Sequence, residues 1–178
     1  FEVAAGECLA VEGPSGSGKT RMLRAIADLD PAGGYVHLDG AERGEMGGPE
    51  WRRQIRYASA EPAWWAATGR EHFPRGARLE RLLSAVALDA DHLDRPIVEL
   101  STGERQRLGL IRALADEPRV LLLDEPTSAL DATSAAMAEE LIKFQLLAER
   151  IVLLVSHDSA QIERLAHARL QLAARTAA

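Results

Sequence analysis

Gly13-Pro14-Ser15-Gly16-Ser17-Gly18-Lys19-Thr20 sets the fold of this 178-residue chain. A glycine, four residues and then Gly-Lys-Thr make a loop able to cradle phosphate. Gly13, Gly16 and Gly18 lack a Cβ, so the backbone can curl and aim successive N–H groups at phosphate oxygens. Lys19 supplies positive charge for the β- and γ-phosphates of a nucleoside triphosphate, and Thr20 a hydroxyl for Mg2+. A helix expected from Lys19 to Leu29 adds the positive end of its dipole. Working outward, Cys8-Leu9-Ala10-Val11 reads as a buried strand before the loop, and Met22-Leu23-Ala25-Ile26 as a helical stripe after it. Strand, glycine loop and helix in that order are the context the loop needs, and an accidental Gly/Ser-rich stretch would not have it.

Further along, short apolar runs rich in β-branched residues alternate with helical patterns, which predicts an α/β fold with a mostly parallel sheet flanked by helices. Strands are expected near 8–12, 34–38, 55–58, 120–124 and 151–155, with an Asp39-Gly40 turn after the second. Helices are expected near 19–29, 102–115, 132–149 and 159–166. The Gly-rich residues 40–50 read as a surface loop, and 62–96 as a helical insertion whose stripe is Leu79, Leu82, Leu83, Val86 and Leu88. Val120-Leu121-Leu122-Leu123-Asp124-Glu125 is an apolar strand ending in two carboxylates. In a parallel sheet such residues emerge beside the phosphate loop. Asp124 then suits Mg2+, and Glu125 suits a general base for the water attacking the γ-phosphate.

Composition excludes several classes. The net charge of −6 leaves no electrostatic footprint for nucleic acid or an anionic membrane. The single cysteine, Cys8, falls in an expected strand and supports no disulfide framework. Apolar runs are strand-sized and the start has no signal-peptide pattern, so a cytosolic chain is expected. It opens at Phe1 rather than Met, as an N-terminally truncated chain would.

Leu100-Ser101-Thr102-Gly103-Glu104 reads locally as a helix start, with Ser101 and Glu104 forming a capping box. A capped start with a glycine in its first turn can also bind a γ-phosphate. The stretch resembles the Leu-Ser-Gly-Gly-Gln signature of ATP-binding cassette (ABC) ATPases, and the following Arg105-Gln106-Arg107 and Arg112-Ala113-Leu114 are typical of that family. Ser128-Ala129-Leu130-Asp131 looks like its D-loop, and His157 in Val155-Ser156-His157-Asp158 like its switch histidine.

The resemblance covers nearly the whole chain and implies a P-loop NTPase of the compact bacterial type. It would have a RecA-like core at about 1–60 and 108–178, a small antiparallel β region, and a helical subdomain at about 61–107. It also implies ATP and Mg2+ as cofactors. Gly13, Pro14, Ser15, Gly16, Ser17, Gly18, Lys19, Thr20, Ser101, Gly103 and Asp131 would bind the nucleotide, Thr20 and Asp124 the metal, and Glu125 and His157 would be catalytic. The implied assembly is a head-to-tail dimer in which Ser101 and Gly103 act on nucleotide held by a second ABC subunit. That dimer would sit on an integral membrane permease at the inner face of the cell membrane, with no nucleic-acid partner. Trp64-Trp65 fall where such a permease would dock, though packing under the helical subdomain is the alternative.

The chain departs from the family pattern at several points. Ala60 stands at the glutamine of the Q-loop, which implies slower hydrolysis. Thr102 replaces the first signature glycine. The family's aromatic residue that stacks on adenine normally lies further upstream than the twelve residues before Gly13 reach, which implies either that it was removed or that the base is bound weakly; Phe1 itself reads as the apolar start of a strand region. His37, His72, His92 and His167 match no family position and are expected at the surface. Two other readings stay open: a soluble non-transport ABC ATPase, and a weakly hydrolysing regulatory cassette.

Overall fold

The computed structural model describes residues 1–174. Its centre is a five-stranded, all-parallel sheet built from β1 (Cys8–Glu12), β4 (Ile55–Ala58), β5 (Val120–Asp124), β6 (Ile151–Val155) and β7 (Ala168–Gln171), in the order β4-β5-β6-β1-β7. A two-stranded antiparallel hairpin, β2 (His37–Leu38) and β3 (Ala41–Glu42), lies apart from it. The helices are α1 (Lys19–Ile26), α2 (Gly48–Gln54), α3 (Glu80–Ala85), α4 (Asp91–Asp94), α5 (Thr102–Leu114), α6 (Ala132–Leu147) and α7 (Ser159–Leu165).

The central strands are buried on both faces, and alternate residues feed two separate cores. Leu9, Val11, Leu122, Leu153 and Val155 point to one side, where Leu23 and Ala27 around α1 and Trp51 of α2 meet them. Cys8, Leu121, Leu123, Val152 and Leu154 point to the other, against α5 and α6. Leu79, Leu83, Val86, Leu88 and Leu93 from the insertion join this second core. Register is tight: Leu121, Leu122, Leu123 and Asp124 lie opposite Val152, Leu153, Leu154 and Val155. A slip of one residue would exchange the two cores. Because all five strands are parallel, the segments after β4, β5, β6 and β1 leave the sheet at one edge.

Several expectations need correction. The strand expected at 34–38 pairs only over His37–Leu38. Residues 40–50 are not simply a loop: they carry β3 and open α2, with proline in its first turn and Trp51 fully buried, its indole N–H donating to the Ile26 carbonyl at 2.9 Å. The insertion is less helical than its leucine spacing suggests, with α3 and α4 only six and four residues long. β7 was not anticipated. Phe1 is 71% exposed and begins no strand.

Candidate functional site

β1 runs straight into the glycine loop. Gly13 has φ +148°, and a Cβ there would lie 2.7 Å from the Leu172 carbonyl oxygen and 2.9 Å from the Ser17 hydroxyl, so a larger residue requires the backbone to move. Gly18, left-handed at φ 102°, sits at the N-cap of α1 and offers no side-chain cap. The amides of the first turn are therefore left for a ligand. Lys19 folds back over the loop, its Nζ donating to the carbonyls of Gly13 (2.8 Å) and Pro14 (3.2 Å). It is only 9% exposed. Among the described residues no carboxylate comes within ion-pairing distance of it. Carbonyls hydrogen-bond an ammonium without neutralising it, and an anion entering the loop would supply the missing charge. The Ser17 hydroxyl is also buried without a partner.

β5 delivers the carboxylates. Asp124 is buried, and the Tyr57 hydroxyl on neighbouring β4 donates to its Oδ2 at 2.9 Å. Burial, and then the charge of Asp124, push the Tyr57 phenol well above its ordinary pKa, so it stays a donor. Glu125 turns out of the strand at φ 53°, its N–H donating to the Val155 carbonyl at 2.9 Å. Its Oε2 accepts from the His157 backbone N–H at 3.3 Å. The His157 ring Nε2 stands 3.4 Å from Oε1, yet without hydrogen-bonding geometry, and Oε1 is buried with no partner. Burial raises the Glu125 carboxyl above the usual range, partly offset by the His157 N–H. The His157 side chain is 71% exposed, free to turn toward a ligand.

The residues fit a divalent cation of the hard type. The Thr20 hydroxyl and the Asp124 and Glu125 carboxylates are oxygen donors. Among the described residues no group of three or more His, Cys, Asp or Glu is arranged to hold a metal. An ion here needs phosphate oxygens and water to complete its shell, as Mg2+ does beside nucleotide.

The other predicted residues form a second cluster. Ser101 caps α5: the Glu104 N–H donates to Ser101 Oγ at 3.2 Å, and the Ser101 N–H to Glu104 Oε2 at 2.7 Å, which is the capping box expected from the sequence. Those bonds hold the Glu104 carboxyl below its ordinary pKa. A Cβ on Gly103 would come within 3.4 Å of the Ala129 carbonyl oxygen, so the signature glycine packs on the 128–131 turn. Asp131 caps α6 by accepting from the Ser134 N–H (3.0 Å) and hydroxyl (2.8 Å). Ser101 and Asp131 are exposed, and their hydrogen bonds stay within three residues. The phosphate loop, Asp124, Glu125 and His157 thus converge at one sheet edge, while Ser101, Gly103 and Asp131 gather at the starts of α5 and α6.

Two residues without an assigned role prove central: Tyr57, and Gln106, which is 3% exposed. A polar side chain on the apolar face of α5, beside Leu108, Leu110 and Ile111, was the available signal for Gln106. Of the four histidines expected at the surface, His72 and His92 need correction. His72 accepts from the N–H groups of Trp65 (3.0 Å) and Ala66 (3.2 Å), and His92 is half-buried between Asp89 (2.6 Å) and Glu104 (3.3 Å). His37 and His167 are exposed as expected, the His167 ring accepting from the Cys8 N–H at 3.1 Å. Trp64 and Trp65 divide the two expectations: Trp64 is half-buried, and Trp65 is 75% exposed.

Comparison with known proteins agrees with this geometry. The family model described as "ABC transporter" matches residues 1–128. Protein STAR1 of Oryza sativa is 38% identical over 93% of this chain and 51% of its own length. The "Fe(3+) ions import ATP-binding protein FbpC" of Pseudomonas fluorescens is 40% identical over 90% of this chain and 49% of its own. The chain spans about half the length of these curated relatives. A solved dimeric ATP-binding cassette in a post-hydrolysis state, bound to ADP and Pi, superposes with a TM-score of 0.84 at 27% identity, covering 99% of this chain and 86% of that one. With its phosphate loop, paired strand-end carboxylates and capped signature helix in family order, this chain belongs to the ABC transporter family of ATP-binding cassettes.

Proposed function

We propose that the chain binds and hydrolyses ATP as the ATP-binding subunit of an ABC transporter, coupling hydrolysis in a head-to-tail dimer to movement of substrate by a membrane permease. The observation that carries this reading is Lys19, a buried cation in a glycine loop whose partners among the described residues are carbonyls. In the proposed cycle Lys19 and the loop amides take the β- and γ-phosphates, and Thr20 and Asp124 would hold Mg2+. Bound Mg2+ would neutralise charge on the phosphate oxygens. Glu125 orients the attacking water and accepts its proton, a role its raised pKa suits, and His157 turns onto the γ-phosphate.

Ser101 and Gly103 would close over nucleotide held by a second ABC subunit, and Asp131 would lie at that dimer face. The core is taken as about 1–60 and 108–178, with the helical subdomain at about 61–107. Trp65, exposed and stacked on Arg112, is the proposed docking point for the permease. Among the described residues no helix is long and apolar enough to cross a membrane. In the proposed assembly it is the permease that would hold the subunit at the inner face of the cell membrane.

Single-turnover hydrolysis tests the enzyme reading. Glu125→Gln should retain ATP and lose roughly 10²–10⁴-fold in rate, the range for a general base. Equal rates in variant and wild type would overturn it. Light scattering of ATP-loaded Glu125→Gln should give a dimer, and monomers at every concentration would remove the assembly.

A further inference from the structure

Residues 60–65 are fastened to α5 rather than left as a free loop after β4. Gln106 Nε2 donates to the carbonyls of Ala60 (3.1 Å) and Glu125 (2.9 Å) and to the Ser128 hydroxyl (3.1 Å), while its Oε1 accepts from the Ala129 N–H (2.9 Å). One turn on, a Cβ at Gly109 would collide with the Pro62 ring, so glycine is what lets that ring lie against the helix. One turn further, Arg112 Nη1 donates to the Ala63 carbonyl at 2.9 Å, and its guanidinium lies 4.4 Å from the Trp64 ring centroid and 5.1 Å from that of Trp65. Positions 106, 109 and 112 share one helix face. The Ala60 side chain has nothing with which to reach a ligand, so its carbonyl is the loop's hydrogen-bonded link to the site.

We infer that Gln106 is a positioning residue, a single buried amide that carries the state of Glu125 to the 128–131 turn and, through Ala60 and α5, to the Trp64–Trp65 surface. This rests on the ATPase reading for what changes at Glu125. The physical basis is that the buried Gln106 amide shares two N–H groups among three acceptors. If the Glu125 main chain moves, the amide cannot follow it and keep Ala60 and Ser128 unless they move too, because a buried donor left unpaired is costly. The Glu125 carbonyl also accepts from the Ser128 hydroxyl at 3.1 Å, so the turn and the strand end are joined twice.

The test uses the full chain with three readouts: affinity for ATP, turnover, and acrylamide quenching of tryptophan fluorescence with and without ATP. Trp51 is fully buried, so the quencher reports on Trp64 and Trp65. In the wild type, ATP should change the quenching. Gln106→Met should keep ATP affinity within about threefold, since Gln106 meets the site at the Glu125 main-chain carbonyl and not at a group proposed to bind phosphate, while turnover falls at least about tenfold and the ATP-dependent change in quenching disappears. Gln106→Glu keeps the shape and the acceptor for Ala129 but has no N–H, and should behave like the methionine variant.

Wild-type turnover and quenching response in either variant would overturn the inference, as would a wild type whose quenching ignores bound ATP. Should Gln106→Met not fold, Ser128→Ala removes one exposed partner. It should lower turnover about threefold at unchanged affinity, and unaltered turnover there would equally overturn it. A wild type that binds ATP without hydrolysing it would count against the enzyme reading alone, because the quenching arm needs only binding.

Discussion

The two clusters of predicted residues are built in opposite ways. The phosphate cluster is assembled from distant sequence at the ends of buried parallel strands, and its polar groups are left short of partners. Among the described residues Lys19 has only carbonyls as partners, while the Ser17 hydroxyl and Glu125 Oε1 have none. The signature cluster is local and satisfied: Ser101 with Glu104 and Asp131 with Ser134 complete their own bonds within three residues while facing solvent. Unmet polar demand inside a folded protein is costly, so it persists where a ligand will supply the missing partner. A satisfied, exposed helix start needs nothing from its own chain and is free to present itself to another.

The sharpest way to break this contrast is Lys19→Met, which keeps bulk and removes charge. If Lys19 waits for an anion, ATP affinity measured by calorimetry should fall roughly 100-fold, the loss expected from charge-assisted hydrogen bonds. If it merely staples the carbonyls of Gly13 and Pro14, affinity should hold and only the melting temperature should drop.

How much of this was legible depended on how local each signal is. β5 and β6 could be read to the residue, at 120–124 and 151–155, because strands buried on both faces are unbroken apolar runs. The start of α5 was legible because Ser101 and Glu104 form a capping box three residues apart. β7 was not, since Ala168–Gln171 is a mostly exposed edge strand with no apolar run. α2 was hidden behind Gly47-Gly48-Pro49, which reads as a turn although proline suits a first helical turn. The lone leucine stripe of α3 was extended across a stretch that its side chains do not organise. In the site, Lys19, Asp124 and Glu125 announced themselves by motif. Tyr57 and Gln106 act through partners 67 and 46 residues away, and no local pattern encodes such an approach.

Position 60 sharpens the contrast from the boundary between the clusters. It leaves β4 on the same edge as the phosphate loop, yet its carbonyl is held from the signature helix by Gln106. Ala60→Gln adds an amide that can reach water or metal without touching that carbonyl bond. Steady-state turnover should rise about three- to tenfold, the scale of one added positioning contact in a transition state. A rate within about twofold of wild type would mean that alanine costs this chain nothing, and that the main-chain link suffices.

The smallest effect separates the clusters by sign. Each contains one perturbed glutamate: burial raises Glu125, and the Ser101 bonds lower Glu104. A carboxyl raised on folding contributes stability below its unfolded pKa and loses that contribution as pH climbs through the folded value. A lowered carboxyl contributes above its unfolded pKa and loses it as pH falls through the folded value. At pH 7.5 Glu125 is therefore a burden on the fold and Glu104 a support. Glu125→Gln should raise the melting temperature by about 2 °C and Glu104→Gln lower it by about the same, on the scale of 1 kcal/mol for a chain this size. As pH falls the Glu125 difference should shrink first, on passing down through its raised folded value, and the Glu104 difference only at lower pH, as its lowered folded value is approached. If Glu125→Gln instead destabilises the protein at pH 7.5, then His157 and Lys19 are compensating the charge in the resting molecule. The phosphate cluster would in that case be as satisfied without ligand as the signature cluster is.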